Sequence, residues 1–271
     1  MIVTLTLNPS LDRTIEVAAL TRGAVIRTRP ARLGPGGKGV NVSRVLLVAR
    51  VPSVAVLALG GPDGARLRRL LEAEDLVVRV VPVAGRTRSN VTIVEPGGVV
   101  TKLNEPGSRL TRAELDAVAG AVLAEAARAS WVVACGSLPP GVPETFYGDL
   151  CADLAPTPVR VAVDTSGPAL PAAAGAGADL IKPNREELVA AVGRPVDRLS
   201  DVIGAAAELR ALGAKAVLVS LGAEGAVLVD DDGIVTGTAP VDRPRCTVGA
   251  GDALLAGFLA AGARGPDALA A

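Results

Sequence analysis

The run Thr247-Val248-Gly249-Ala250-Gly251-Asp252 leads directly into an apolar segment over 253–261. It places two glycines and one carboxylate at the start of a helix. The first amides of a helix have no intrahelical acceptor and lie at the positive end of its dipole. A phosphoryl group in transit would be welcomed by these amides, with Asp252 beside it to take the proton of an attacking hydroxyl. An ordinary glycine turn with an acidic residue near a helix start has the same composition, and only companion motifs separate the two.

Several companions exist. Gly34-Pro35-Gly36-Gly37-Lys38-Gly39-Val40-Asn41-Val42-Ser43-Arg44 opens a helical pattern. No Ser or Thr follows Gly37-Lys38 as a Walker loop requires, and the glycine spacing is wrong for a dinucleotide fingerprint. Its glycines permit close backbone approach, Lys38 offers a point charge for phosphate, and Asn41 lies within a turn of it. Asn8-Pro9-Ser10-Leu11-Asp12 follows the first strand pattern, where a carboxylate either accepts sugar hydroxyls or caps a turn. Thr87-Arg88-Ser89-Asn90 either reaches over a bound phosphate or carries a solvated charge. Lys182-Pro183-Asn184-Arg185-Glu186-Glu187 fits a capping box from Asn184 to Glu187, and equally a pair that organises Mg²⁺ or water near nucleotide phosphates. Ser220-Leu221-Gly222-Ala223-Glu224-Gly225 is either a plain turn or an opening for a nucleotide.

Composition narrows the chemistry. The 271 residues contain no histidine, which removes Ser-His and Cys-His pairs, histidine-ligated metals and histidine acid–base work. Any catalysis falls to Asp/Glu, Lys/Arg, backbone amides and a hard cation. Formal net charge is zero, so neither nucleic acid nor a membrane surface is an expected partner. The three cysteines, Cys135, Cys151 and Cys246, suit neither a zinc site nor a disulfide framework. Two of them lie in apolar runs and read as small core fillers, while Cys246, just before the glycine turn, is a candidate reactive thiol. The amino-terminal residues form a strand pattern instead of a leader, and no apolar stretch has membrane-spanning length, so a cytoplasmic protein is expected.

Hydrophobic residues make up 49% and aromatics only 1%, so Val, Leu, Ala and Ile must build the core. Short apolar β-branched runs at 2–7, 53–59, 77–81, 131–135, 159–163, 180–182, 216–220 and 226–229 alternate with helical patterns. Those patterns lie near 38–49, 64–73, 112–129, 144–154, 185–191, 201–212 and 250–261. Such alternation predicts one α/β domain whose mostly parallel sheet is covered on both faces. Segments 14–32 and 87–102 break the rhythm as strands without helices. They are expected to form a small separate sheet, a lid over the strand ends where α/β proteins bind ligands.

These motifs, in this order, resemble the ribokinase-like (PfkB) carbohydrate kinase superfamily. The two signature regions are matched by Gly36 to Arg44 and by Thr247 to Ala253. Thr6-Leu7-Asn8-Pro9, Thr87-Arg88-Ser89-Asn90-Val91 and Gly136-Ser137-Leu138-Pro139-Pro140-Gly141 are similar to its phosphosugar branch. Lys102-Leu103-Asn104-Glu105-Pro106-Gly107 is most similar to the 1-phosphofructokinases within it. The resemblance implies a three-layer αβα sandwich with a β-sheet lid spanning 1–271, and transfer from Mg²⁺–ATP to the 6-hydroxyl of fructose 1-phosphate. Asp252 would be the base, with Gly249, Ala250 and Gly251 as the anion hole. Asp12, Gly37 and Asn41 would hold sugar hydroxyls, and Lys38, Arg88, Asn90 and Arg27 the 1-phosphate. Lys182, Asn184, Ser220, Gly222 and Gly225 would line the nucleotide, and Glu187 would serve Mg²⁺ through water. The resemblance also implies a homodimer through the lid sheet. Family members continue for several dozen residues after the catalytic helix, whereas this chain stops at Ala271. A shortened, non-catalytic sugar-phosphate binder is therefore an alternative, as are kinases of tagatose 6-phosphate or fructose 6-phosphate.

Overall fold

The computed structural model describes residues 1–239 and 249–262. Cys246, the Thr247-Val248 that leads into the glycine turn, and the carboxyl-terminal residues lie outside that range. The nine strands of the main sheet are β1 (Ile2–Thr6), β4 (Ser53–Leu59), β5 (Val78–Pro82), β8 (Trp131–Cys135), β9 (Arg160–Asp164), β10 (Leu180–Ile181), β11 (Val217–Ser220), β12 (Ala226–Asp230) and β13 (Gly233–Gly237). They lie in the order β13-β12-β11-β10-β9-β8-β1-β4-β5. Neighbours from β5 to β11 pair in parallel, while β12 and β13 return antiparallel. The helices are α1 (Lys38–Val48), α2 (Gly61–Ala73), α3 (Arg112–Ala126), α4 (Phe146–Leu154), α5 (Ala169–Gly175), α6 (Arg185–Val192), α7 (Leu199–Leu212) and α8 (Ala250–Ala261). None among the described residues is long and apolar enough to cross a membrane.

Alternation along each strand divides the core between the two faces. On β1, Val3 and Leu5 pack beneath α3 and α4, while Ile2 packs with Val42 and Leu46 of α1 and Leu255 and Leu259 of α8. Trp131, Val133 and Cys135 of β8 join Ile2, whereas Val132 and Ala134 join the opposite layer. The expected three layers are present.

The lid is a four-stranded sheet in the order β3-β2-β6-β7, from β2 (Ser10–Glu16), β3 (Arg32–Gly36), β6 (Arg88–Val94) and β7 (Val100–Asn104). Its strands differ from the expected segments in an informative way. The first strand begins at Ser10, so Asp12 stands on the lid and not in a loop after β1, and residues 17–31 carry no strand. β3 runs through residues 34–36, expected as a loop into α1, and outside the lid one helix and one strand escaped the sequence patterns. α5 is a seven-residue helix of mostly Ala, too short to show a period, and β13 is an exposed edge strand with glycine at both ends.

Glycine governs how closely α1 seats on β1. A Cβ on Gly39 would stand 2.4 Å from Thr6 Oγ1 and 2.9 Å from the Leu5 carbonyl oxygen. Alanine is the better helix former at this helical position, yet Gly39→Ala is expected to destabilise the protein by about 1–3 kcal/mol, as overpacking does. Urea unfolding checks this, and an unchanged midpoint would mean that α1 is free to move off β1.

Candidate active site

The carboxyl ends of the parallel strands and the start of α8 converge. Gly249 is the N-cap of α8 at φ 82°, a left-handed conformation that favours glycine. Asp252 follows in the first turn, 7% exposed, and its Oδ2 accepts a 2.7 Å hydrogen bond from Asn41 Nδ2 of α1. Burial pushes the Asp252 carboxyl above its ordinary range. The Asn41 bond opposes that rise, the nearby Asp164 charge adds to it, and Lys38 and Lys182 oppose it again. The result is a partly desolvated carboxylate beside the first amides of a helix, an arrangement able to take a proton from a hydroxyl.

Next to it lies a charge cluster. Lys38 Nζ donates to Asp164 Oδ1 at 2.6 Å and to Glu187 Oε1 at 2.9 Å, while Lys182 Nζ lies 3.1 Å from Asp164 Oδ2. Glu187 Oε2 accepts from the Asn184 N–H at 2.8 Å, and Asn184 Oδ1 accepts from the Glu187 N–H at 2.8 Å. The capping box is therefore present, and the same glutamate also holds Lys38. Asn184 bridges to Ser220 at the sheet end. A Cβ on Gly251 would stand 3.3 Å from Lys182 Nζ and 3.8 Å from Ser220 Oγ, so these two side chains back the amino terminus of α8. Gly222, at φ 61°, opens on empty space. Gly225 has a tighter reason, since a Cβ there would stand 2.1 Å from the Gly237 carbonyl oxygen.

The lid supplies the other wall. Register pairs Ser10 with Arg88 and Asp12 with Asn90. Asn90 Nδ2 donates to Ser10 Oγ at 3.0 Å and to Asp12 Oδ1 at 3.2 Å, leaving its own buried Oδ1 without a partner. The Asp12 carboxylate lies where a Cβ on Gly36 would be, 2.4 Å away, so the glycine before Gly37 makes room for it. Gly37 itself turns at φ 128° against Thr6 and Pro9. Arg88 Nε donates to the Asn8 carbonyl at 3.1 Å and Nη1 to the Glu105 carbonyl at 2.9 Å. Burial lowers its pKa, against the attraction of Asp12 and Glu105.

Two expected site residues have neighbours other than those foreseen. Lys38, expected with Arg88 and Asn90, gives its ammonium to Asp164 and Glu187 of the main-sheet rim. Arg27 lies exposed in the strandless stretch 17–31 and has no bonding partner among the described residues. An isolated arginine in the sequence carries no sign of which way its chain runs. Asp164 stands in none of the sequence motifs, and Asn8 and Ser137 stand in them without an assigned role. Asn8 Nδ2 bonds the Pro106 carbonyl at 3.0 Å and Ser137 Oγ at 3.3 Å, tying lid to core. Only its place at the end of an apolar strand pattern could have flagged Asp164.

A mostly parallel, doubly covered sheet, a β-sheet lid, and a buried aspartate at a glycine-rich helix start define a sugar kinase of the phosphotransferase class. The chain belongs to the pfkB family of carbohydrate kinases, whose profile matches residues 5–271. It is 43% identical to the 1-phosphofructokinase of Rhodobacter capsulatus, over 98% of this chain and 85% of that one. It is 37% identical to the ATP-dependent 6-phosphofructokinase isozyme 2 of Escherichia coli K12, over 94% and 83%. The structure of phosphofructokinase-2 from Escherichia coli in complex with fructose-6-phosphate superposes with a TM-score of 0.92 at 33% identity, covering 99% of this chain and 89% of that one.

Asp252→Asn should lower kinase turnover by at least ~10²-fold, the loss of a general base. It should not lower Tm at neutral pH. A carboxyl whose folded pKa is raised loses stability as pH climbs past its unfolded pKa, and asparagine removes that loss. Asn41→Ala removes a donor to the ionised form, so the acid limb of kcat/KM should move to higher pH. A pH–rate profile with no upward shift would detach Asn41 from the base.

Proposed function

We propose that this protein transfers the γ-phosphoryl group of ATP to the 6-hydroxyl of fructose 1-phosphate, giving ADP and fructose 1,6-bisphosphate. The observation that carries the reading is Asp252, buried at the start of α8 and held by Asn41. Identity of 43% to a 1-phosphofructokinase supports the acceptor. Asp252 takes the proton of the 6-hydroxyl as its oxygen attacks phosphorus and the bond to ADP breaks. The amides of Gly249, Ala250 and Gly251 receive charge that builds on the phosphoryl oxygens.

Asp12, Gly37 and Asn41 hold sugar hydroxyls, and the unpartnered Asn90 Oδ1 supports a place for that residue on the substrate. Arg88 takes the 1-phosphate, while Asn90 Oδ1 accepts from a sugar hydroxyl, which together hold the 6-hydroxyl in line. Lys38 serves the phosphoryl group in transit, because its two carboxylate partners belong to the main-sheet rim. Lys182, Asn184, Ser220, Gly222 and Gly225 line the nucleotide. The described residues contain no cluster of three or more metal-ligating side chains. Mg²⁺ would therefore be held chiefly by phosphate oxygens and water, with Glu187 reaching it through water, and would neutralise charge on the phosphates. The chain acts as one domain with an inserted lid. Exposed Val99, Val100 and Leu103 on and beside the edge strand β7 support pairing of two lids in a homodimer.

A coupled ADP-release assay with Mg²⁺–ATP tests the reading across fructose 1-phosphate, fructose 6-phosphate and tagatose 6-phosphate. Preference for fructose 1-phosphate is expected, preference for another acceptor replaces the substrate, and no turnover from folded protein leaves a sugar-phosphate binder. Arg88→Ala should raise KM for fructose 1-phosphate roughly ten- to a hundredfold, the range of a charged hydrogen bond. A change confined to association state would place Arg88 in the lid interface alone.

A further inference from the structure

Asp164 closes β9 and is fully buried. Its backbone is fixed on both sides, since its carbonyl accepts from the Gly136 N–H at 2.8 Å and the Lys182 N–H donates to the preceding carbonyl, of Val163, at 2.9 Å. Its side chain is shared. Oδ1 accepts from Lys38 Nζ at 2.6 Å, while Oδ2 lies 3.1 Å from Lys182 Nζ without completing a hydrogen bond. A buried carboxylate is tolerable only where cations compensate it, and here two do so from different elements, the first residue of α1 and the residue after β10. Lys182 is itself 3% exposed and stands under Gly251. One carboxylate therefore connects α1, the end of β10 and the start of α8.

The Lys38 side chain remains 31% exposed. An ammonium has three N–H donors. Asp164 and Glu187 use two of them, leaving the third for an anion. We propose that Asp164 is a positioning residue for phosphoryl transfer: it fixes the Lys38 and Lys182 ammoniums beside the start of α8 and does not itself touch the sugar. This inference rests on the kinase reading above. Asp164 and Glu187 occupy Lys38 Nζ at 2.6 and 2.9 Å, so loss of Asp164 should leave the Lys38 amine less engaged and more reactive.

The test is Asp164→Asn in the full chain, with two readouts. The first is steady-state kinetics, where kcat should fall at least about thirtyfold while KM for fructose 1-phosphate and the Mg²⁺ half-saturation stay within about threefold, as expected for a residue acting through others. The second is competitive acetylation of Lys38 by acetic anhydride, read by mass spectrometry without substrates, which should quicken severalfold. Unchanged kcat and labelling would overturn the proposal. A large rise in Mg²⁺ half-saturation with unchanged labelling would also overturn it, making Asp164 a metal ligand. Absence of wild-type turnover with fructose 1-phosphate would defeat the substrate reading alone, and the labelling would still decide about Asp164. Should the variant not fold, wild-type labelling decides: Lys38 should react more slowly than exposed Lys102, and equal rates would overturn the inference.

Discussion

The site depends on keeping several charges out of water at one end of a parallel sheet. Asp164 is fully buried, Lys182 and Asp252 nearly so, and Lys38 and Glu187 close the group. None of these charges is stable alone in an apolar setting. Together they hold one another, and the strands and helices that carry them must meet for the group to exist. The end of β9, the residue after β10 and the first turns of α1, α6 and α8 are therefore fixed relative to one another by electrostatics as well as by the aliphatic core beneath. Asp252 gains its raised pKa from the same exclusion of water, so the constraint that shapes the fold also tunes this carboxylate.

Close backbone approach is the second requirement, and glycine meets it. Gly39 lets α1 sit against β1, Gly36 leaves room for the Asp12 carboxylate, and Gly251 leaves room for Lys182. Each is explained by a neighbour's atoms. The lid is tied to this frame through Asn8, which bonds a carbonyl of the returning lid segment and the hydroxyl of Ser137, and through Arg88, which holds the carbonyls of Asn8 and Glu105. The lid is thus anchored at its root, and β7 is its exposed edge strand.

Much of this was legible in the chain. The alternation of short apolar runs with helical patterns predicted the layered sheet, because burial on both faces leaves no other way to satisfy strands so uniformly aliphatic. The glycine-carboxylate run predicted a helix start with Asp252 in its first turn, and the Asn184–Glu187 spacing predicted a capping box that is present. Such features are local, set by bonds spanning a few residues. The lid strand carrying Asp12 began earlier than expected, and Arg27 fell outside it, since strand ends in a two-faced exposed sheet depend on partners distant in the chain.

The sequence by itself determined the class of the sheet, the position of the helix starts and the absence of histidine chemistry, all of which follow from side-chain type and near-neighbour spacing. Only the tertiary structure decided which charges meet. Lys38 is 126 residues from Asp164 and 149 from Glu187, and Asn41 is 211 from Asp252. Nothing in residue type or spacing selects those partners, because a buried ion pair is chosen by where strands end in space, and that is settled by packing of the whole core.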